Sequence, residues 1–468
     1  MAGKFEAPKG KRRSPVVPIL LTVALLLALA GLGYGAWHRF APKPTPEASA
    51  PETKAVTLPP ETTLPPETTM PEPEHVVTTA TVAAQGDMLM HGPIFDSHSL
   101  AHQSDGSYDF SSIFRYFSDY TQSPDWMVAN LETTLAGESR PYSGWPNFNC
   151  PDGFIDTLSS VGFDMLQTAN NHSYDTVMEG FLRTVEVVRD RELIALGSRL
   201  SEEEPRYVVE DINGIRVGLV CYTYTTSMDG SKPRLNGNTP VKDPALVNFF
   251  SYQNLESFYA EAGDIREKME EEGAEATVFF VHWGEEYQIQ ENERQRNIAQ
   301  KLCDLNFDVI VGAHPHVVQP AALLTSTVDP SHKTVCVYSL GNAVSNQRRE
   351  KMNLNTGHTE DGAYFSVTFE KYSDGTVYLA EAKLLPTWVR FRTDNGAEYN
   401  ILPLEDSSRE EWQTMFELTD NDYDRAIQSY ERTEKIVGAG MEEITGFLAQ
   451  QKARRDADYL AAVLPSAA

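Results

Sequence analysis

Five of the eleven histidines follow short apolar runs of the kind that form buried strands. Two carboxylates and an asparagine stand in equivalent places, and the whole set is Asp87, His91, Glu132, Asn171, His172, His282, His314 and His316. Imidazole nitrogen, carboxylate oxygen and amide oxygen together suit divalent ions such as Zn, Mn or Fe. The residue types therefore predict a metal site, and they leave the identity of the metal open.

The segment GAHPHVVQP is the most specific of these signals. It follows the apolar run DVIV, and Pro315 fixes the backbone between His314 and His316, so both rings can point into one loop-lined site. This spacing favours metal or phosphate chemistry. Taken singly, Gly86-Asp87 is also compatible with an ordinary turn, and His282 with a core histidine bound to a backbone carbonyl.

The elements that must position these residues alternate along the chain. Strands are predicted at VVTTATVAAQGD, GIRVGLVCYTY, ATVFFVHWG, FDVIVGAHPH and TVCVYSLGN, and helices at GFIDTLSSVG, EGFLRTVEVVRDREL, ESFYAEAGDIREKMEEEG and ERQRNIAQKLCDLN. Strand, loop and helix in repetition indicate an α/β layered domain, in which ligand-binding loops follow the strands. The later run YFSVTFEKYSDGTVYLAEAKLLP alternates about a turn and predicts a β-hairpin.

The N-terminal region predicts export of everything that follows it. Residues 1–15 form a basic stub, and residues 16–37 hold no charged side chain. As a helix these 22 residues would be about 33 Å long, enough to span a bilayer core of about 30 Å. The basic flank places the N-terminus in the cytoplasm. We predict an uncleaved single-pass anchor in the cell membrane with an extracellular body; a cleaved signal peptide is the alternative, and it also exports the body.

Residues 38–76 are dominated by Pro, Thr and Glu and contain the near-repeat PPETTLPPETTM. Such a composition cannot bury a core, so we predict a disordered, extended linker. The folded domain is predicted at 77–390. Residues 391–468 are predicted to form an acidic helical extension that packs on the core.

Seven segments, in this order, resemble the CapA or PgsA family, which is associated with poly-γ-glutamate capsule synthesis: GDMLMHGPI, YDF, NLETTLAG, FNCPDGFIDTLSSVGFDMLQTANNHSYD, HWGEEY, DVIVGAHPHVVQP and SLGN. The resemblance continues to LPTWVR near residue 390. That family is related in fold to calcineurin-like metallophosphoesterases. The resemblance therefore implies a four-layered α/β/β/α sandwich with a metal site at the carboxyl edge of two mixed sheets.

The same resemblance implies a role for each matching residue. Two divalent ions are implied: one is held by Asp87, Glu132 and His316, with His91 completing its site, and the other by Glu132, Asn171, His282 and His314. The family's usual Asp-x-His spacing is absent, since the nearest histidine after Asp87 is His91. His172 is the candidate proton donor, and Asp175 is the residue expected to orient it.

Two functions from different classes follow. The first is an exported metal-dependent hydrolase, because two divalent ions can bind a phosphoryl group and lower the pKa of a bridging water. Its substrate would be a phosphoester or related bond in a cell-surface anionic polymer or its precursor. The second is a non-catalytic accessory protein of a membrane capsule-synthesis complex, with a structural or vestigial metal site.

The charge balance indicates which classes of partner this chain can bind. The net charge is −28, and residues 1–40 carry six Lys or Arg against one Glu, so the remainder carries −33. A surface this acidic excludes nucleic acid, which is bound mainly through Lys and Arg. It favours cations, and it disfavours direct binding of polyglutamate unless metal ions bridge the two.

Overall fold

The computed structural model describes residues 75–96, 101–237, 239–354, 356–393 and 396–463. The predicted stub and anchor, and the linker up to residue 74, lie outside these ranges. Among the helices of the described ranges, none is both long enough and apolar enough to cross a bilayer.

The strands of the described residues are β1 (Val76–Met88), β2 (Trp126–Leu131), β3 (Met165–Gln167), β4 (Ile194–Leu196), β5 (Tyr207–Ile212), β6 (Ile215–Tyr224), β7 (Ser227–Asp229), β8 (Lys232–Arg234), β9 (Phe249–Phe250), β10 (Ala276–His282), β11 (Val309–Ala313), β12 (Val318–Thr325), β13 (Lys333–Leu340), β14 (Asn342–Val344), β15 (Asp361–Tyr372), β16 (Val377–Arg392) and β17 (Glu398–Pro403). The α-helices are α1 (Gly92–Asp96), α2 (Ser118–Gln122), α3 (Gly153–Val161), α4 (Val177–Asp190), α5 (Leu255–Glu271), α6 (Glu293–Asp304), α7 (Trp412–Met415) and α8 (Asp420–Val463). Short 3-10 turns lie at Ser111–Phe114, Pro244–Leu246, His358–Glu360 and Asp406–Glu411.

The strands form two mixed sheets and a small β7-β8 ribbon. The first sheet has the order β17-β16-β15-β1-β2-β3-β4, with β14 also paired to β1. The second has the order β12-β13-β11-β10-β6-β5, with β9 paired to β6. β1 to β4 run parallel, as do β6, β10, β11 and β13. Each sheet therefore brings the carboxyl ends of several neighbouring strands to one edge.

Alternate residues of the strands face different hydrophobic clusters. Val278 and Phe280 of β10 belong to a cluster that also contains residues of the first sheet, such as Val82. Phe279 and Val281 face outward and pack with α5 and α6. The first sheet likewise buries its other face against α3 and α4. Burial on both faces explains why the strands are continuous apolar runs.

The predicted mixed α/β class is confirmed, because all five predicted strands and all four predicted helices are present within a few residues of their expected bounds. The predicted hairpin is the β15-β16 pair. The four cysteines are buried free thiols. Burial of such small side chains needs no disulfide.

The structure differs from the prediction at the start of the C-terminal extension. The expected boundary at residue 390 falls inside β16, and Glu398–Pro403 forms the edge strand β17 rather than a helix. Tyr399 and Ile401 join the outer cluster of the first sheet, while Leu402 packs with Trp388. Its six residues mix apolar with polar side chains, so the pattern does not distinguish strand from helix by itself, and pairing with β16 decides it. The long helix begins only at Asp420.

Candidate metal centre

Parallel strand ends bring the predicted donors to one place. Asp87 is the penultimate residue of β1, and Glu132 directly follows β2. His282 is the last residue of β10, and His314 directly follows β11. In the register of the sheets, Asp87 is paired with Asn130, and His282 with Ala313. Backbone pairing within each sheet therefore aligns the ends of its strands, and the donor side chains extend from these ends.

The first donor set consists of Asp87, Glu132 and His316, whose ligand atoms all lie within 4.8 Å of one another. His316 Nδ1 is 3.0 Å from Asp87 Oδ2, and His316 Nε2 is 3.8 Å from Glu132 Oε1. All three side chains are buried. The family resemblance implied the same three residues, with His91 in addition, as the ligands of one metal ion.

The second donor set consists of Glu132, His282 and His314, within the same 4.8 Å limit. His282 Nε2 lies 3.5 Å from Glu132 Oε1 and 2.9 Å from Asn171 Oδ1, so the amide of Asn171 joins this group. The two sets share Glu132. A carboxylate has two oxygens and can therefore serve two cations at once.

Two buried polar atoms of this cluster have no hydrogen-bond partner among the described residues: Glu132 Oε1 and His314 Nδ1. A buried polar atom without a partner costs about 1–3 kcal/mol. Such atoms call for a functional explanation, and a cation is the partner that a carboxylate oxygen and an imidazole nitrogen share. The residues present thus fit divalent metal ions.

Asn130 connects the two donor sets, and sequence reasoning missed it. Its amide nitrogen donates to Asp87 Oδ1 at 2.8 Å and to Glu132 Oε2 at 3.0 Å. Its amide oxygen accepts from Asn170 Nδ2 at 3.0 Å. Asn130 therefore fixes the rotamers of the carboxylates. The only hint in the sequence was an asparagine two residues before Glu132 in a strand that is otherwise apolar.

The loop that carries the histidine pair has an unusual backbone. His314 and His316 have positive φ angles of 99° and 57°, on either side of Pro315. The amide N–H of His314 donates to Asp87 Oδ2 at 3.2 Å. Non-glycine residues in such conformations are strained and persist where the surroundings impose them, often at functional sites. The strained loop turns both rings toward the carboxylates.

Electrostatics in the cluster favour positive charge beside the carboxylates. Burial alone would raise the pKa of Asp87, but the hydrogen bond with His316 and the charge of His316 hold that pKa below its ordinary value. Burial alone would lower the pKa of His316, but the charge of Glu132 and the bond to Asp87 raise it to about 9. Burial and the neighbouring His282 hold the pKa of His314 well below its usual range. His314 is therefore neutral without metal, whereas His316 would release its proton on binding a cation.

His172 and Asp175 form a buried pair beside the donors. His172 Nδ1 lies 2.7 Å from Asp175 Oδ2, which also accepts from the amide N–H of Phe148 at 2.7 Å. Asn236, a second residue that the sequence did not indicate, donates to Asp175 Oδ1 at 3.2 Å. The structure thus shows the hydrogen bond through which Asp175 was predicted to orient His172.

His91 lies near the centre, but none of the donor sets formed by the described residues includes it. Its Nδ1 is 3.2 Å from the carbonyl oxygen of Leu89 and 3.3 Å from the amide nitrogen of Asn346. Burial and the charge of His316 lower the pKa of His91 to about 3, so its ring is neutral. Its role as a ligand stays a prediction.

A two-sheet α/β protein with a buried cluster of carboxylates and histidines at its strand ends belongs to the class of candidate metalloproteins. The family model "Bacterial capsule synthesis protein PGA_cap" matches residues 81–347, more than half of the chain. The chain belongs to this family of capsule synthesis proteins, and the predicted resemblance to CapA proteins is confirmed.

Two curated relatives carry the CapA name. The chain is 26% identical to the PGA biosynthesis protein CapA of Bacillus subtilis over 240 residues, which is 50% of this chain and 57% of that protein. It is 26% identical to the capsule biosynthesis protein CapA of Bacillus anthracis over 247 residues, 51% of this chain and 55% of that protein. The matched region thus spans little more than half the length of these relatives.

The crystal structure of TT1561 of Thermus thermophilus aligns with 61% of this chain and 94% of its own. The sequence identity is 8% and the TM-score 0.33, too low to carry a statement about fold or function.

Proposed function

We propose that the protein is an exported, membrane-anchored, metal-dependent hydrolase that acts on a phosphoester or related bond in a capsule-type anionic polymer or its precursor. In this proposal the two sheets and their outer helices form a four-layered metallophosphoesterase-like α/β/β/α sandwich. The observation that carries the proposal is the sharing of Glu132 by two buried donor sets, together with its Oε1, which has no hydrogen-bond partner among the described residues.

The proposal assigns Asp87, Glu132 and His316 to one cation and Glu132, Asn171, His282 and His314 to the other. Bound divalent ions would supply Lewis acidity toward a phosphoryl oxygen and an activated water. Mn, Zn and Fe all suit these donors. The chain itself aligns the carboxylates through Asn130 and keeps the site within a folded interior.

His172 would donate a proton to the leaving oxygen. Asp175 Oδ2 lies 2.7 Å from its Nδ1 and would hold the ring in the orientation needed for the transfer. Phe148 and Asn236 hold Asp175 on its other sides, so the imidazole keeps one orientation. His172 thus acts on the substrate, and Asp175 acts through His172 as a positioning residue.

The polymer, the membrane complex and the location belong to the same proposal. The names of the two relatives support capsule biosynthesis, and the basic stub before residues 16–37 supports an outward-facing body. The acidic body would take a polyanion through the bound cations rather than through its own surface charge.

The direct test combines metal analysis with hydrolysis assays on the purified protein. We expect about two equivalents of divalent metal per chain, with turnover of an aryl phosphate or of poly-γ-glutamate that is lost in His314→Ala and Asn171→Ala. The exposed His102 lies outside the donor sets, so His102→Ala is a matched control that should keep both properties. Protein without divalent metal would exclude the hydrolase. Metal without turnover on a wide panel, with capsule loss in a deletion strain, would favour the accessory role.

A further inference from the structure

A third carboxylate reaches the two histidines of the GAHPH segment from the solvent side. Glu286 follows β10 in the segment HWGEEY, and its side chain is exposed. One of its carboxylate oxygens and the ring nitrogens of His314 and His316 all lie within 4.8 Å of one another. No role was predicted for Glu286 from the sequence, since it follows the strand end by four residues.

The main chain fixes this proximity. The amide N–H of Tyr287 donates to the carbonyl oxygen of Pro315 at 2.8 Å, so the residue after Glu286 is bound to the loop between the two histidines. Tyr287 has a φ angle of 65°, and its hydroxyl accepts from Gln347 Nε2 at 3.3 Å. Glu286 is therefore presented to the two rings by an anchored backbone.

The position of Glu286 complements that of Glu132. His316 belongs to one buried donor set and His314 to the other, and Glu132 joins these sets from the interior. Glu286 approaches the same two rings, but its carboxylate remains exposed. His314 itself is buried, and its Nδ1 has no partner among the described residues. A buried imidazole nitrogen that lacks a hydrogen-bond partner and lies beside a carboxylate indicates a ligand in the space between the two groups.

We propose that Glu286 is a solvent-side ligand of the metal centre, which an incoming phosphoryl oxygen displaces. The inference rests on the proposed function, since it needs a metal-loaded site. Catalytic metal sites keep one coordination position for water or substrate. A carboxylate on an exposed segment can leave such a position at low cost, whereas the buried Glu132 cannot.

The test uses Glu286→Gln in the full-length protein, with Glu285→Gln as a matched control. Glu285 is the preceding residue, is equally exposed and is absent from the donor sets of the described residues. Isothermal titration with Mn²⁺ should show about tenfold weaker binding of at least one equivalent in Glu286→Gln, the size of effect seen when groups around a metal are removed. Glu285→Gln should titrate like the wild type. Metal-free thermal melts of all three proteins should coincide, because the changed side chains are on the surface.

Inorganic phosphate tests the displacement step. At saturating Mn²⁺, phosphate should bind Glu286→Gln more tightly than wild type, since no carboxylate competes for the position. Equal Mn²⁺ affinities in Glu286→Gln and Glu285→Gln would overturn the inference and leave the proposed function intact. Weaker phosphate binding in Glu286→Gln would also overturn it. A wild-type protein that binds no Mn²⁺ would overturn the inference and the proposed function together.

Discussion

The buried carboxylates of the candidate centre lower the stability of the folded protein. Glu132 is fully buried, and one of its oxygens lacks a hydrogen-bond partner among the described residues. Asn130 donates to its other oxygen and to Asp87, so the two carboxylates are held near each other although both are acidic. Burying charge in this way is costly unless a partner compensates. We infer that the compensating partner is a cation.

Glu132→Gln tests two things: how the buried Glu132 carboxylate affects the stability of the protein, and whether metal binding needs that carboxylate. Without metal, the variant should unfold close to the wild-type temperature, because removal of a buried carboxylate is offset by loss of the charge that raises the pKa of His316. With metal at about 100 times its Kd, wild type should gain about 2.7 kcal/mol and the variant should gain little. Thermal melts with and without Mn²⁺ measure both effects. A variant that melts well below wild type without metal, and still responds to Mn²⁺, would contradict the assignment.

Asp175→Asn tests the pair that is proposed to transfer a proton. The amide can no longer provide the carboxylate that holds His172 Nδ1 at 2.7 Å, so the ring should lose its orientation and turnover should fall about 10²-fold or more. The metal ligands are untouched, so Mn²⁺ affinity should stay within about twofold of wild type. The effect should appear in kcat rather than in KM. Loss of metal together with turnover would instead indicate a structural role for Asp175.

The residues of the centre that hydrophobic patterning helped to predict lie at the ends of strands, and those that were missed lie within a strand or on a loop. Asp87, Glu132, His282 and His314 lie at strand ends, where hydrophobic patterning already marks the edge of a sheet. Asn130 lies within a strand, and Asn236 and Glu286 lie on loops. Their contacts with the centre join chain segments up to 152 residues apart, as between Asn130 and His282, and no local pattern encodes such a distance.

At the scale of elements, the C-terminal helix α8 is part of the core. Val437, Ile444 and Leu448 of this helix join the cluster that the two sheets share. An ion pair also holds the N-terminal half of the helix: Arg432 donates to the buried carboxylate of Asp361 at 2.6 Å. The helix therefore stabilises the edge of the sandwich rather than forming a separate appendage.

Gly440 measures how closely this helix approaches the second sheet. A Cβ at this position would lie 1.8 Å from the carbonyl oxygen of Ala321 in β12, whereas a Cβ at Gly446 in the same helix would have no neighbour within 4 Å. Gly446→Ala should raise the free energy of unfolding by about 0.5–1 kcal/mol through helix propensity. Gly440→Ala should lower it by about 1–3 kcal/mol through overpacking. Denaturant titrations of the two variants, with equal m-values, would show this; a stabilised Gly440→Ala would mean that the helix is not docked as described.

Some strands could not be predicted from patterns in the sequence. β3 and β4 have three residues each, too few to show alternation, and they form because β3 pairs with β2 and β4 pairs with β3. β17 is similar, since its short mixture of apolar and polar residues is a strand through pairing with β16. The longer strands were predictable because burial on both faces demands an uninterrupted apolar run.

At the scale of the whole molecule, charge separates a basic start from a strongly acidic remainder. Residues 1–40 carry six of the basic side chains and a single acidic one, whereas the whole chain has a net charge of −28. Within the part of the chain that the structure describes, the first strand begins at Val76, next to the Pro/Thr/Glu-rich segment of the sequence. If residues 16–37 anchor the chain with its basic side inside, the metal centre works outside the cell, where divalent cations and capsule polymer are both present.

Protease added to intact cells tests this orientation. Because residues 38–74 lack the apolar content of a core, they should be cut readily and release a folded fragment that begins close to Val76. The fragment should retain metal and remain in the supernatant, while a cytoplasmic marker protein stays uncut. Mass spectrometry of the untreated protein should still find residues 16–37, since a cleaved signal peptide would remove them. Release of the fragment only after cell lysis would place the body in the cytoplasm, and the proposed action on an external polymer would then be excluded.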